Sequence, residues 1–121
     1  MAHLLDTSIV IHVRDKNSRV LAHMLNHRGS VAMSSLTAAE LERGVYKKKS
    51  LTADRLPRLQ AIFDEIPVLP FDLDAARAYG QIIAQRGWVK GRDFDRMIAA
   101  HALSTGSVLV TNNEADFSDV P

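Results

Sequence analysis

Four short apolar runs, each ended by polar residues and separated by helix-length segments, constrain this chain's fold most tightly. They are "HLLD" at the start, then "SVAMSS", "PVLPF" and "SVLVT". Runs this short, aliphatic and partly β-branched, read as buried strands rather than helices. The stretches between them carry apolar residues at helical spacing: "SIVIHVRD", "LTAAELERGVYKKK", "TADRLPRLQAIFDEI", "DLDAARAYGQIIAQRG" and "DFDRMIAAHALSTG". In "RVLAHMLNH" the stripe is Val20, Leu21, Met24 and Leu25, closed by Gly29. Strands joined through helices pair in parallel with right-handed crossovers, and short apolar strands are covered on both faces. The fold expected is therefore α/β, a three-layer α/β/α sandwich around a short-stranded parallel sheet. At 121 residues it is one domain, 1–121.

Local signals place the helix ends. Asp6, Thr7 or Ser8 can cap the first helix, and Ser34, Ser35 or Thr37 the one after "SVAM". Pro57 is tolerable only in the first turn of its helix. Gly87 and Gly106 stop the last two helices, and "NEADF" forms a final turn.

The chain has no cysteine. That excludes a disulfide framework, a thiol nucleophile and a Cys-based zinc site. No basic segment precedes the first apolar run and Asp6 interrupts it, so the start is not a signal peptide. No run is long enough to span a membrane, and a cytoplasmic location is expected. A net charge of +1 neither demands nor excludes a nucleic-acid partner, so any such binding rests on local patches.

In open parallel sheets, ligands collect beyond the carboxyl ends of the strands, near the point where strand order reverses. The acids fall there. Asp6 ends the first strand, Glu40 lies in the early turns of the helix after the second, Asp93 and Asp95 open the last helix, and Asp116 follows the fourth strand. Gathered on one rim, four carboxylates repel unless a cation neutralises them. An oxygen-rich, sulfur-free set suits Mg2+ or Mn2+. Each acid also has an ordinary role: Asp6 as a helix cap, Asp93 as an N-cap with Asp95 at the second helical position, Asp116 as a turn residue. Glu40 and Glu42 compete for one place. Gly44, one turn beyond Glu40, leaves space for a ligand, whereas Tyr46 fills the matching place beside Glu42, which favours Glu40.

Five segments in order now identify a family. "LLDTSIV", "SSLTAAELERGV", "FDLDAARAYGQI", "DRMIAAHAL" and "VLVTNNEADF" resemble stretches of the PIN-domain ribonucleases, and within them the VapC-type toxins of bacterial toxin–antitoxin pairs. The resemblance implies a PIN-like sandwich and an Mg2+- or Mn2+-dependent endoribonuclease that hydrolyses RNA phosphodiester bonds, with tRNA as a substrate class. Matched position by position, Asp6, Glu40, Asp95 and Asp116 are the catalytic, metal-binding acids, and Glu40 is chosen over Glu42. Thr7 and Asn112 match positions that support the acids through hydrogen bonds. The chain departs from the pattern twice. Ser8 stands where the family has Asn, and "GRDFD" is one residue longer than the family's "G-x-x-D". The longer loop makes Asp93 an additional supporting candidate or a competitor of Asp95. The family further implies a homodimer and a cognate VapB-type antitoxin, joined in a hetero-oligomer.

Around the site, Lys90 and Arg92 are candidate RNA-phosphate contacts with Arg86 nearby, and "YKKKS" is either another or a solvated helix end. Trp88 stacks on a base, anchors its loop or meets a partner. No histidine is required as a base: His12 can approach the rim and His101 packs within its helix. A haloacid-dehalogenase-like phosphatase wants D-x-D where this chain has Asp6-Thr7-Ser8. A receiver domain wants an Asp after the third strand, where only "PVLPFD" is on offer. The alternative from another class is a catalytically weakened PIN-like module that binds RNA or protein.

Overall fold

The structure is a computed structural model and describes residues 2–15 and 30–111. The helix expected over "RVLAHMLNH", the "NEADF" turn, Asn112 and Asp116 lie outside the described residues. In chain order the elements are β1 (His3–Leu5), α1 (Thr7–Arg14), β2 (Val31–Ser34), α2 (Ser35–Lys47), α3 (Lys49–Glu65), β3 (Val68–Leu69), α4 (Leu73–Arg86), α5 (Asp93–Thr105) and β4 (Val108–Val110). All four strands are parallel, in the order β3-β2-β1-β4. The register sets Leu4 beside Ala32 and Leu109, and Leu5 beside Met33 and Val110.

Successive strand residues face opposite sides, and Leu4 and Leu5 accordingly enter different cores. Leu5 and Met33 join Ile9 and Val10 of α1, Leu41 and Val45 of α2, and Leu59 and Ile62 of α3. Leu4 joins Ile98 and Ala102 of α5, with Ala32 and Leu109 against them. The three-layer α/β/α arrangement expected from the sequence is the one observed, and α4 packs chiefly on α5.

Helix ends explain the connections. Ser34 is the cap of α2, its Oγ accepting from Leu36 N at 3.1 Å. Asp72 caps α4 by accepting from Ala75 N. Gly106 ends α5 in the left-handed conformation at φ 65°, which glycine adopts without the Cβ penalty. With one residue between it and β4, α5 must run back along the sheet, so its first turn lies at the strands' carboxyl edge.

Pro57 sits well inside α3, not in its first turn. The helix starts early because its first turns close the end of α2: Thr52 Oγ1 donates to Val45 O at 2.8 Å and Arg55 Nη1 to Gly44 O at 3.0 Å. Both Pro57 and Ala53, the residue one turn earlier whose carbonyl loses its usual partner, are exposed, so water can replace the missing bond.

Candidate active site

The strand order reverses at β1: the chain moves outward through β2 and β3, then returns to place β4 on β1's other side. The crevice at that reversal is bounded by the residues following β1 and β4, which are Asp6 and Thr111. They meet there. Asp6 N donates to Val110 O at 2.9 Å and Thr111 Oγ1 donates to Asp6 Oδ2 at 2.8 Å.

Asp6 is only 4 % exposed. Its carboxylate also accepts from Thr7 N on Oδ1 at 2.8 Å and from Ser8 Oγ on Oδ2 at 3.0 Å. Asp6 is also the N-cap of α1, and that role leaves it at the same crevice. Ser8, despite lacking the amide of the family's Asn, reaches the acid. Thr7 serves two carboxylates: its N–H goes to Asp6 and its hydroxyl donates to Glu40 Oε1 at 2.7 Å. Glu40 is half-buried, whereas Glu42 is exposed. Beside Glu40, a Cβ at Gly44 would lie 3.4 Å from Nη1 of the buried Arg14, so that guanidinium borders the room glycine leaves.

Asp95 is half-buried in the first turn of α5, at the third helical position instead of the second. Asp93 is the first helical residue and not the N-cap, which is Arg92. The Asp93 carboxylate is engaged sideways: Oδ1 accepts from Tyr79 OH at 2.8 Å and from Trp88 Nε1 at 2.9 Å. That bond to Asp93, with burial and the Asp93 charge adding to it, holds the Tyr79 hydroxyl pKa above its ordinary value. Among the described residues, no three Asp, Glu or His side chains form a cluster that could hold a metal. Asp116 and Asn112 lie outside that set.

Several residues at this edge escaped the sequence reading. Thr111 had a signal, being the Thr of "VTNN" directly after a strand. Tyr79 and Arg96 gave none; Arg96 is 1 % exposed and its Nη1 donates to Gly87 O. His101 packs in its helix as expected, but with a specific partner: Nδ1 lies 2.8 Å from Ser34 Oγ, and its ring meets Phe71 edge-on. Burial lowers its pKa below the usual 6.5, opposed by the Asp72 charge. A groove of about 410 Å³ between α4 and α5, lined by Asp74, Arg77, Gln81, Gln85, Leu103 and Ser104, contains none of the candidate acids.

The PIN domain model matches residues 3–121. The chain belongs to the PIN-domain family. Within it the chain is a VapC-type ribonuclease, the toxin class of toxin–antitoxin systems. It is 36 % identical over 121 residues to the tRNA(fMet)-specific endonuclease VapC of Shigella flexneri, covering 97 % of this chain and 90 % of that one. Ribonuclease VapC2 of Rickettsia felis is 28 % identical, covering 100 % and 93 %. Among solved structures, DNA-bound VapBC from Salmonella typhimurium matches with a TM-score of 0.88 at 29 % identity, over 100 % of this chain and 93 % of that one. VapBC2 from Rickettsia felis bound to a promoter DNA fragment matches at 0.85 and 28 %, over 100 % and 94 %. Asp6 follows β1 at the sheet's carboxyl edge, with Glu40 linked to it through Thr7 and Asp95 in the first turn of α5. Among the described residues no helix is long and apolar enough to cross a membrane.

Proposed function

We propose that this VapC-type toxin hydrolyses RNA phosphodiester bonds with Mg2+ or Mn2+ held by Asp6, Glu40, Asp95 and Asp116, acting in the cytoplasm as a single PIN domain. The observation carrying this reading is Asp6: a nearly buried carboxylate at the point of strand reversal, taking hydrogen bonds from three neighbouring residues. Such bonds fix both oxygens in direction, as ligand-orienting partners do. The donor set suits the ion. It offers carboxylate oxygens and no thiolate, and Nδ1 of His101 points to Ser34.

When bound, such an ion supplies Lewis acidity toward the phosphodiester and its attacking water. The chain's own residues do the positioning. Thr7 couples Asp6 and Glu40 through one residue, so that neither acid swings independently. Thr111 and Ser8 hold Asp6 Oδ2 from two sides. Asp95 projects from a helix whose first turn carries the positive end of the dipole, which favours a phosphate nearby. Lys90 and Arg92 are the candidate contacts to flanking phosphates, with Trp88 beside them.

Relatives solved as VapBC complexes support a VapB-type antitoxin as partner, and a homodimer of this chain within that hetero-oligomer is part of the proposal. The name of the Shigella flexneri relative supports tRNA as the substrate class. The alternative of a weakened binding module drew on Ser8 in place of Asn; that Ser8 Oγ donates to Asp6 supports the catalytic reading over it.

The test is incubation of the purified chain with total RNA and tRNA in Mg2+, Mn2+ or EDTA. Cleavage dependent on the metal and lost in Asp6→Asn and Asp95→Asn is expected. Melting temperature should rise with Mn2+ in the wild type and not in Asp6→Asn. Cleavage surviving in EDTA or in both variants would overturn the assignment.

A further inference from the structure

We infer that Trp88 is a fixed stacking platform for an unpaired nucleobase of the RNA, set beside the cutting site. The inference rests on the ribonuclease reading above.

Trp88 is the chain's single tryptophan and stands 61 % exposed. An exposed indole usually samples several rotamers, but this one is tethered through its polar edge. Nε1 donates to Asp93 Oδ1, and the same oxygen accepts from Tyr79 OH. The loop carrying it is also closed. Gly87 and Gly91 take φ of 76° and 84°, Arg92 N donates to Val89 O, and Arg96 Nη1 donates to Gly87 O. With its N–H spent on Asp93, the indole has no hydrogen-bond donor left for a ligand. What it offers is a π face, which recognises any base by stacking and discriminates little by sequence.

The surroundings select nucleic acid over a protein ligand. Between Asp74 and Asp93 the chain carries Arg77, Arg86, Lys90 and Arg92 and no acid. Arg86, Lys90 and Trp88 are all exposed. An aromatic plane flanked by cations suits a base with its phosphates. The ring is close along the chain to a candidate acid: Asp93, which holds it, is two residues before Asp95 in the same first helical turn. This also explains the loop. The residue that makes "GRDFD" longer than the family's pattern accompanies an Asp that holds the tryptophan.

The single tryptophan makes the test direct. Asp6→Asn protein with Mg2+ is titrated with a 12-nucleotide single-stranded RNA and with a blunt RNA duplex, following indole emission. Saturable quenching by the single strand and little by the duplex is expected. Trp88→Ala should weaken single-strand binding about 5- to 150-fold, the range for one stacked base, while Trp88→Phe keeps most of it. On the otherwise wild-type chain, Trp88→Ala should raise KM and leave kcat nearly unchanged. Unaltered affinity and KM in Trp88→Ala, in protein that still cuts RNA, would overturn the platform and leave the ribonuclease intact. Emission that answers to a VapB-type antitoxin but not to RNA would also overturn it. Failure of the wild type to cut any RNA would defeat the underlying reading instead.

Discussion

The two faces of the sheet are built on different physics. On the face covered by α1, α2 and α3, branched and long aliphatic side chains interlock: Leu5, Ile9, Val10, Met33, Leu41, Val45, Leu59 and Ile62. On the other face α5 packs Ile98 and Ala102 against Leu4, and its further buried residues are two alanines, Ala99 and Ala100, with a charged arginine and a histidine, Arg96 and His101. Small side chains let a helix approach its neighbours closely, and the buried polar groups of α5 need partners. Arg96 closes the Trp88 loop, and His101 meets Ser34, the cap of the helix bearing Glu40. One face supplies stability; the other trades apolar volume for positioning.

That contrast can be broken by experiment. The largest effect should come from Leu41→Ala, which empties a fully buried site on the aliphatic face at a cost of about 2–5 kcal/mol, read by thermal or denaturant unfolding. A cost below 1 kcal/mol would show that this face is not the stabilising one. At the rim, Thr111→Val removes one donor from Asp6 while keeping shape, and should lower metal-dependent cleavage about 10- to 100-fold with melting little changed. Equal losses of activity and stability would instead make Thr111 a structural residue.

Ala102→Leu probes the alanine face from the opposite direction. If α5 lies close to the sheet, the added methylenes should cost about 1–3 kcal/mol by overpacking. A neutral or stabilising result would disprove the close approach. The smallest effect is a pH dependence. Since burial lowers the His101 pKa below 6.5, the unfolded chain binds a proton that the folded chain refuses. His101 therefore contributes stability above pH 6.5 that is lost as pH falls from there toward the folded pKa. Comparing melting temperatures between pH 7.5 and 5, His101→Asn should show a shallower decline than the wild type. Parallel curves would remove His101 from the account.

Much of this protein was legible in its sequence because the signals are local. Short apolar runs between amphipathic segments dictate parallel strands with helical crossovers. Ser34, Asp72 and Gly106 mark helix ends through bonds spanning only a few residues. Asp6 and Glu40 stand out by their distance from a strand end, and the ordered segments around them identify the family. What only the tertiary structure decided is where side chains distant in sequence meet. Nothing local says that Thr111 donates to an acid 105 residues earlier. Nor does it say that Arg14 borders the room beside Gly44, that Thr52 and Arg55 pull α3 back past Pro57, or that Tyr79 and Trp88 claim Asp93. In each case a buried or half-buried polar group takes whichever partner the packing of helices on the sheet brings within 3 Å or so. Periodicity fixes which face of an element is covered; which polar atom lies opposite depends on how the layers come together.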